Sequence, residues 1–160
     1  MRKRSFVVIL TLSIMLLLNG MTCLAAHGEN TLRPGESLSM WQWIESSNHE
    51  YLLQMQTGGK MVLYSKSRGV LWTSPISYYP GYNHRPNRFI MQHDGNLVMY
   101  HNLFPSKPDP GDIGDQTLYD MPVWDSKTYN NPGAHLILQD DGNLVIYQGT
   151  QPLWATGTNL

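Results

Sequence analysis

Gln92-His93-Asp94-Gly95-Asn96-Leu97-Val98-Met99-Tyr100 and Gln139-Asp140-Asp141-Gly142-Asn143-Leu144-Val145-Ile146-Tyr147 agree at seven of nine positions and begin 47 residues apart. A worn third copy begins 36 residues before the first of these. It keeps Gln56, Val62 and Tyr64, while Gly58 and Lys60 stand where the other copies have Asp and Asn. Self-similarity at such a period marks a fold built from repeated units, none of which can bury an apolar face alone. Each copy follows a short apolar run (Tyr51 to Met55, Phe89 to Met91, Leu136 to Leu138) and precedes one tryptophan, Trp72, Trp124 or Trp154. Alternating apolar residues around Asp-Gly predict antiparallel hairpins closed by a tight primed turn, because glycine accepts positive φ and Asp tolerates it. No long segment after the first 25 residues has apolar residues at a helical period, and Gly and Pro interrupt the chain often. The expectation is an all-β domain of three units with approximate three-fold symmetry, over roughly 31–75, 76–128 and 129–160, its centre filled by the three repeated tryptophans. Trp41 and Trp43, on a first strand, are expected in the interior or at its rim.

One unit is longer than its siblings. Tyr64 to Trp72 is 8 residues and Tyr147 to Trp154 is 7, but Tyr100 to Trp124 is 24. The extra residues, near 102–122, are rich in Pro, Gly and Asp and read as a surface loop.

The remaining boundaries come from the start of the chain. Arg2, Lys3 and Arg4 precede an uncharged, mostly apolar run of 13 residues from Phe6 to Leu18, and Ala25-Ala26 offers small residues for cleavage. This reads as a secretory signal peptide over 1–25, too short for the roughly 20 apolar residues of a membrane span. The mature domain would be 26–160, secreted to the extracellular space, or periplasmic in a bacterium. Its 8 basic and 12 acidic residues give a net charge of −4, without the basic footprint of a nucleic-acid-binding surface. The only cysteine is Cys23, so the mature chain has neither disulfide nor thiolate metal site. Gly20-Met21-Thr22 is a poor lead-in for lipidation of Cys23.

Gln92, Asp94, Asn96, Val98 and Tyr100 occupy every second position, as do Gln139, Asp141, Asn143, Val145 and Tyr147. In an extended stretch each set shares one face. Two amides, a carboxylate and a phenol around an apolar floor match the paired donors and acceptors of a neutral polyhydroxylated ligand better than any charged one. The residue types leave a second reading open, in which Gln, Asp and Asn serve the turn itself, with Asp94 and Asp141 bonding nearby backbone amides.

The pattern Q-x-D-x-N-x-V-x-Y, intact at 92–100 and 139–147, resembles the signature of the bulb-type (monocot-type) mannose-binding lectins, and Thr31 to Leu38 resembles their usual domain opening. The similarity runs from about Thr31 to Thr156. It implies a β-prism of three four-stranded subdomains whose sites take mannose or mannose-containing glycans with no metal or other cofactor. It also implies roles. Gln92 and Gln139 would bond the sugar's O3; Asp94, Asn96, Asp141 and Asn143 the axial O2; Tyr100 and Tyr147 O4; Val98 and Val145 would meet the ring carbons. Gly58 and Lys60 remove the O2 partners from the first copy, leaving Gln56, Val62 and Tyr64 as structure and two sites per chain, multiplied in any homo-oligomer. The chain departs from plant members in lacking their disulfide and in the long insertion, which would cover or extend the 92–100 site and leave the 139–147 site the more open.

Rival functions are weaker. A glycosidase needs two carboxyl groups about 5–10 Å apart, whereas each motif supplies one shared acid, with Asp140 added only in the last copy. Histidines 27, 49, 84, 93, 101 and 135 show no metal-ligand spacing, so catalysis is not expected. A lectin-like bacteriocin, or a protein-interaction prism whose motif is mainly structural, is the alternative. The aromatic stretch Ser77-Tyr78-Tyr79-Pro80-Gly81-Tyr82 supports the interaction reading.

Overall fold

The computed structural model describes residues 28–57, 59–75, 88–103 and 119–159. The leader expected over 1–25, the aromatic stretch 77–82 and the middle of the insertion lie outside them. The regular elements of the described residues are twelve strands in three four-stranded antiparallel sheets, a β-prism.

Each repeat contributes three consecutive strands. The first supplies β4 (Tyr51–Met55), β5 (Met61–Ser65) and β6 (Gly69–Thr73); the second β7 (Arg88–Met91), β8 (Leu97–Leu103) and β9 (Tyr119–Asp125); the third β10 (His135–Leu138), β11 (Leu144–Gln148) and β12 (Gln151–Ala155). The fourth strand of every sheet comes from one opening stretch, which repeat spacing alone assigns wholly to the first unit. There β1 (Thr31–Leu32) pairs with β10, β2 (Ser37–Ser39) with β7 and β3 (Trp43–Glu45) with β4. Residues 31–45 thus cover one edge of all three sheets in turn, satisfying backbone groups that an open edge would leave unpaired. Each of the three strands also puts one fully buried aliphatic into the core, Leu32, Leu38 and Ile44.

Strand alternation fills the rest of the core. Leu53, Met55, Met61 and Leu63 are fully buried in the first unit, Phe89, Met91, Leu97 and Met99 in the second, and Leu136, Leu138, Leu144 and Ile146 in the third. Burying each such side chain is worth about 1.5–3 kcal/mol. The last strands of the sheets break the alternation. A register shift falls between Leu63 and Tyr64, between Met99 and Tyr100, and between Ile146 and Tyr147. The extra residue opposite each shift, Leu71, Val123 or Leu153, packs on the core together with the tryptophan that follows it. Two successive residues can face the same side only where a bulge interrupts the pleat. The tryptophans meet at the centre as expected. Their ring centroids lie 6.3 Å (Trp72–Trp124), 6.1 Å (Trp72–Trp154) and 5.8 Å (Trp124–Trp154) apart, all edge to face, and Phe89 stacks on Trp124.

Three expectations need correction. The Asp-Gly hairpins are not two-residue primed turns. Gln92 N–H donates to the Asn96 carbonyl at 2.8 Å and Gly95 N–H to the Gln92 carbonyl at 3.1 Å, closing a three-residue loop in which Gly95, at φ +90, and not Asp94, has positive φ. The third copy repeats this with Gly142 at φ +87. Such a loop places its one left-handed residue last, where glycine suits it. Second, the ends of the insertion are strand: Asn102 pairs with Asp120 and Leu103 with Tyr119. The ends of the inserted chain lengthen the β8–β9 hairpin, and backbone pairing does not require the apolar pattern whose absence suggested a loop. Third, Trp41 sits in the turn between β2 and β3 at φ +69 and is 56% exposed, because that turn points its side chain away from the core; Trp43, in β3, is half-buried.

Candidate functional site

The outward residues of β8 are those the core does not take. Leu97 and Met99 face inward, so Val98 and Tyr100 face a groove on the outer side of the sheet, with Asn96 just before the strand. Gln92 reaches across the hairpin and its amide donates to the Tyr100 hydroxyl at 2.7 Å. Gln139 donates to the Tyr147 hydroxyl at 2.9 Å in the third sheet. The first and last residues of each motif, eight apart in sequence, therefore bracket a valine that is nearly buried, 2% exposed at Val98 and 3% at Val145.

Asp94 and Asp141 are exposed at the loop tips, and in each the Oδ1 accepts the N–H of the asparagine two residues on, at 2.9 Å in both copies. This is the turn service that the sequence left open. It occupies one carboxylate oxygen and leaves the other with no partner among the described residues. The asparagines are also held. Asn143 Oδ1 accepts from the Thr156 hydroxyl and from the Gly157 and Thr158 amides at 3.1, 3.0 and 3.3 Å, which leaves its Nδ2 pair of donors for a ligand. Asn96 Oδ1 accepts from the Ser126 hydroxyl at 3.1 Å and the Thr128 amide at 3.2 Å, but its Nδ2 donates to Asp125 Oδ2 at 3.0 Å.

Asp125 is a residue of this groove that the motif does not reveal. Register places it opposite Val98, where the third sheet has Ala155 and the first Thr73. Its other oxygen pairs with the Lys127 ammonium at 2.8 Å. Burial pushes the Asp125 carboxyl up, but hydrogen bonds from Lys127 and Asn96 outweigh this and hold it below its usual value. Gln92, Asn96, Val98 and Tyr100 line one side of a cavity of about 590 Å³; Pro122, Trp124, Asp125 and Lys127 line the other. Asp94 is outside that lining. Arg88, opposite Tyr100 in the ladder, lies over the Tyr100 ring, 5.1 Å from its centre.

The first sheet keeps half of this arrangement. The Gln56 amide donates to the Tyr64 hydroxyl, Val62 is 5% exposed, and Gln56 N–H donates to the Lys60 carbonyl at 2.9 Å, as in the other loops. Lys60 itself is exposed.

The loops carrying these groups are fixed from outside. The Asn131 amide donates to the Asp94 carbonyl at 2.9 Å. Asn48 clasps Asp140 twice, from its backbone amide to Oδ1 at 2.8 Å and from its side chain to the carbonyl at 2.9 Å. These two motif loops are thereby each anchored to a neighbouring unit, which gives the rigidity that selective hydrogen bonding requires. Among the described residues no cluster of three or more His, Cys, Asp and Glu converges as a metal site. The groove offers hydroxyl-matching donors and acceptors over an apolar floor.

No family model and no curated protein sequence matches the chain. Solved structures do. A lectin of Marasmius oreades aligns with 81% of this chain and 92% of its own at 25% identity and a TM-score of 0.59. A monomeric monocot mannose-binding lectin from Gastrodia elata aligns over 82% and 98% at 29% identity and a TM-score of 0.57. The mannose-specific agglutinin of snowdrop (Galanthus nivalis) bulbs, complexed with methyl-α-D-mannoside, aligns over 82% and 99% at 33% identity and a TM-score of 0.54.

Proposed function

Because this chain belongs to the family of the snowdrop agglutinin, the bulb-type or monocot-type lectins, we propose that it is a secreted lectin binding mannose-containing glycans through the outer grooves of its second and third sheets. The observation that carries this reading is the Gln–Tyr pair closed over a buried valine, built alike at Gln92–Tyr100 and Gln139–Tyr147. In this reading the valine supports the C–H face of the pyranose. The glutamine amide and tyrosine hydroxyl take O3 and O4, and the free oxygen of Asp94 or Asp141, with the asparagine Nδ2, takes the axial O2. An epimer with O2 equatorial leaves those last groups unpaired, at about 1–3 kcal/mol. Secretion rests on the leader over 1–25.

The test is retention of the full mature chain on mannose resin. Retention with elution by methyl-α-mannoside, and about tenfold weaker competition by methyl-α-glucoside, is the expected result. The turn bonds made by Asp94 and Asp141 favour the competing reading of a motif kept for folding; a folded chain that passes through the resin would establish that reading instead.

The two grooves differ at Asp125, so they should differ in affinity. Asp125→Ala gives the second groove the alanine of the third, removes the acceptor that engages Asn96 Nδ2 and releases Lys127. Calorimetry with a mannoside is expected to change from a two-class isotherm to one class, the second groove gaining about three- to tenfold, since a donor already bonded in the free protein gains little from a ligand. An isotherm unchanged by the substitution would place Asp125 outside the site.

A further inference from the structure

The first sheet carries the same cradle with its charge reversed. Gln56, Val62 and Tyr64 face away from the core, which is filled in this unit by Met55, Met61 and Leu63. Packing therefore does not demand the Gln56–Tyr64 pair, yet it is built as in the other sheets, with the same loop hydrogen bonds and the same register shift before the tyrosine. What has changed is the polar end. Residue 58 is glycine, so the position of Asp94 and Asp141 has no carboxylate, and Lys60 replaces the asparagine. Thr73 stands opposite Val62 where the second sheet has Asp125. Lys60 is exposed and forms no ion pair among the described residues. The Trp41 amide donates to the Met55 carbonyl at 2.8 Å, so the loop bearing this exposed indole lies against the residue preceding Gln56.

We propose that this groove is a third saccharide site that takes a hexuronic acid, a pyranose carrying a carboxylate, where the other two take a neutral hexose. The proposal rests on the reading of the second and third grooves as sugar sites, since it borrows their pose. Gln56 and Tyr64 bond neighbouring ring hydroxyls, Val62 supports the ring, and Lys60 donates to the carboxylate. Axial-hydroxyl selectivity is absent because both groups that would enforce it are gone. A charge-assisted hydrogen bond from an ammonium replaces them, so binding here depends on ionic strength, and binding of an uncharged hexose in the other two grooves depends on it far less.

The experiment is an amide-detected NMR titration of the full mature chain with sodium glucuronate, methyl-α-mannoside and inorganic phosphate, each alone. Glucuronate is expected to shift the Gln56 side-chain amide and the backbone amides of Lys60 and Val62, and to bind less tightly at 0.3 M salt. Lys60→Gln should weaken glucuronate by about fivefold or more and leave the mannoside titration unchanged, while Lys60→Arg retains glucuronate binding. Lys60 is exposed, and the variant's spectrum reports its fold directly. Absence of glucuronate shifts in the first sheet would overturn the proposal, as would equal binding by Lys60→Gln or shifts that phosphate reproduces. Mannoside shifts missing around Gln92 and Gln139 would overturn the mannose reading separately, because the two ligands are scored on different sheets.

Discussion

Gly95→Ala is expected to destabilise the domain by about 2–5 kcal/mol. Two costs add. Gly95 sits at φ +90, and an added Cβ would lie 2.1 Å from the backbone oxygen of Asn131 and 2.7 Å from its carbonyl carbon. The left-handed conformation alone costs a residue with a Cβ about 1–2 kcal/mol. Overpacking against atoms that cannot rotate away adds about 1–3 kcal/mol. Relieving the clash would pull the loop from Asn131, whose amide donates to the Asp94 carbonyl, so the substitution also frees the second groove from the third unit. Gly142→Ala meets the Tyr51 ring at 2.6 Å instead; a ring can shift, and a smaller loss is expected. Gly149→Ala is the control, with φ +57 and nothing within 4 Å of the added carbon, and should lose only the conformational part. Urea unfolding midpoints of the three variants check the order. Equal losses at Gly95 and Gly149 would mean that contact between units does not hold the motif loop.

That contact between units is also where reading the chain alone stopped. The repeats, the three central tryptophans and the outward set Gln-Val-Tyr were legible because each depends on local period: two residues for the strand faces, one motif per unit for the symmetry. The distribution of 31–45 over three sheets was not. Leu32, Leu38 and Ile44 are spaced evenly, but nothing in an isolated strand states which sheet edge it will cover, since that is decided by closure of the whole prism. The bulges were hidden for a related reason. Leu153-Trp154 reads as one residue in and one out, and only the shift opposite Ile146 and Tyr147 lets both face the core. Trp41 shows the opposite case, a large aromatic that a place on a first strand assigns to the interior or its rim and a left-handed turn turns outward.

At the candidate site the same division holds residue by residue. For Asp94 and Asn96 the motif left turn service and ligand service as alternatives. A carboxylate has two oxygens and an amide has an acceptor end and a donor end, so turn service and ligand service are not exclusive. In Asp141 and Asn143 the Oδ1 of each is taken by the fold, and the remaining polar atoms have no partner among the described residues. Asp125 lies 29 residues beyond Asn96 in sequence and reaches it only through the β8–β9 register. That pairing spans the insertion, and its alignment is invisible to any local pattern.

This split determines which substitutions can test binding cleanly, and glutamine is the better target than aspartate or asparagine. Removing Asp141 or Asn143 also removes a loop hydrogen bond, so lost binding would be confounded with a loosened loop. Among the described residues Gln139 and Gln92 bond through their side chains only to Tyr147 and Tyr100, on the outer side of the sheet, and Gln→Ala keeps the backbone bonds of the loop. Gln92→Ala/Gln139→Ala is expected to abolish retention on a dense mannan surface. Either single variant should weaken apparent affinity for that surface by about a hundredfold or more, because linked sites multiply affinity by factors of roughly 100–10,000 and loss of one removes the linkage entirely. Calorimetry with methyl-α-mannoside, which cannot bridge sites, should show the single variants losing one site while the other keeps its own affinity. Surface binding and monovalent calorimetry therefore diverge in the singles and agree in the double. A single variant whose surface affinity only halves would mean that the two grooves of one chain never engage the same glycan surface together, and a double variant that is still retained would take the sugar out of both.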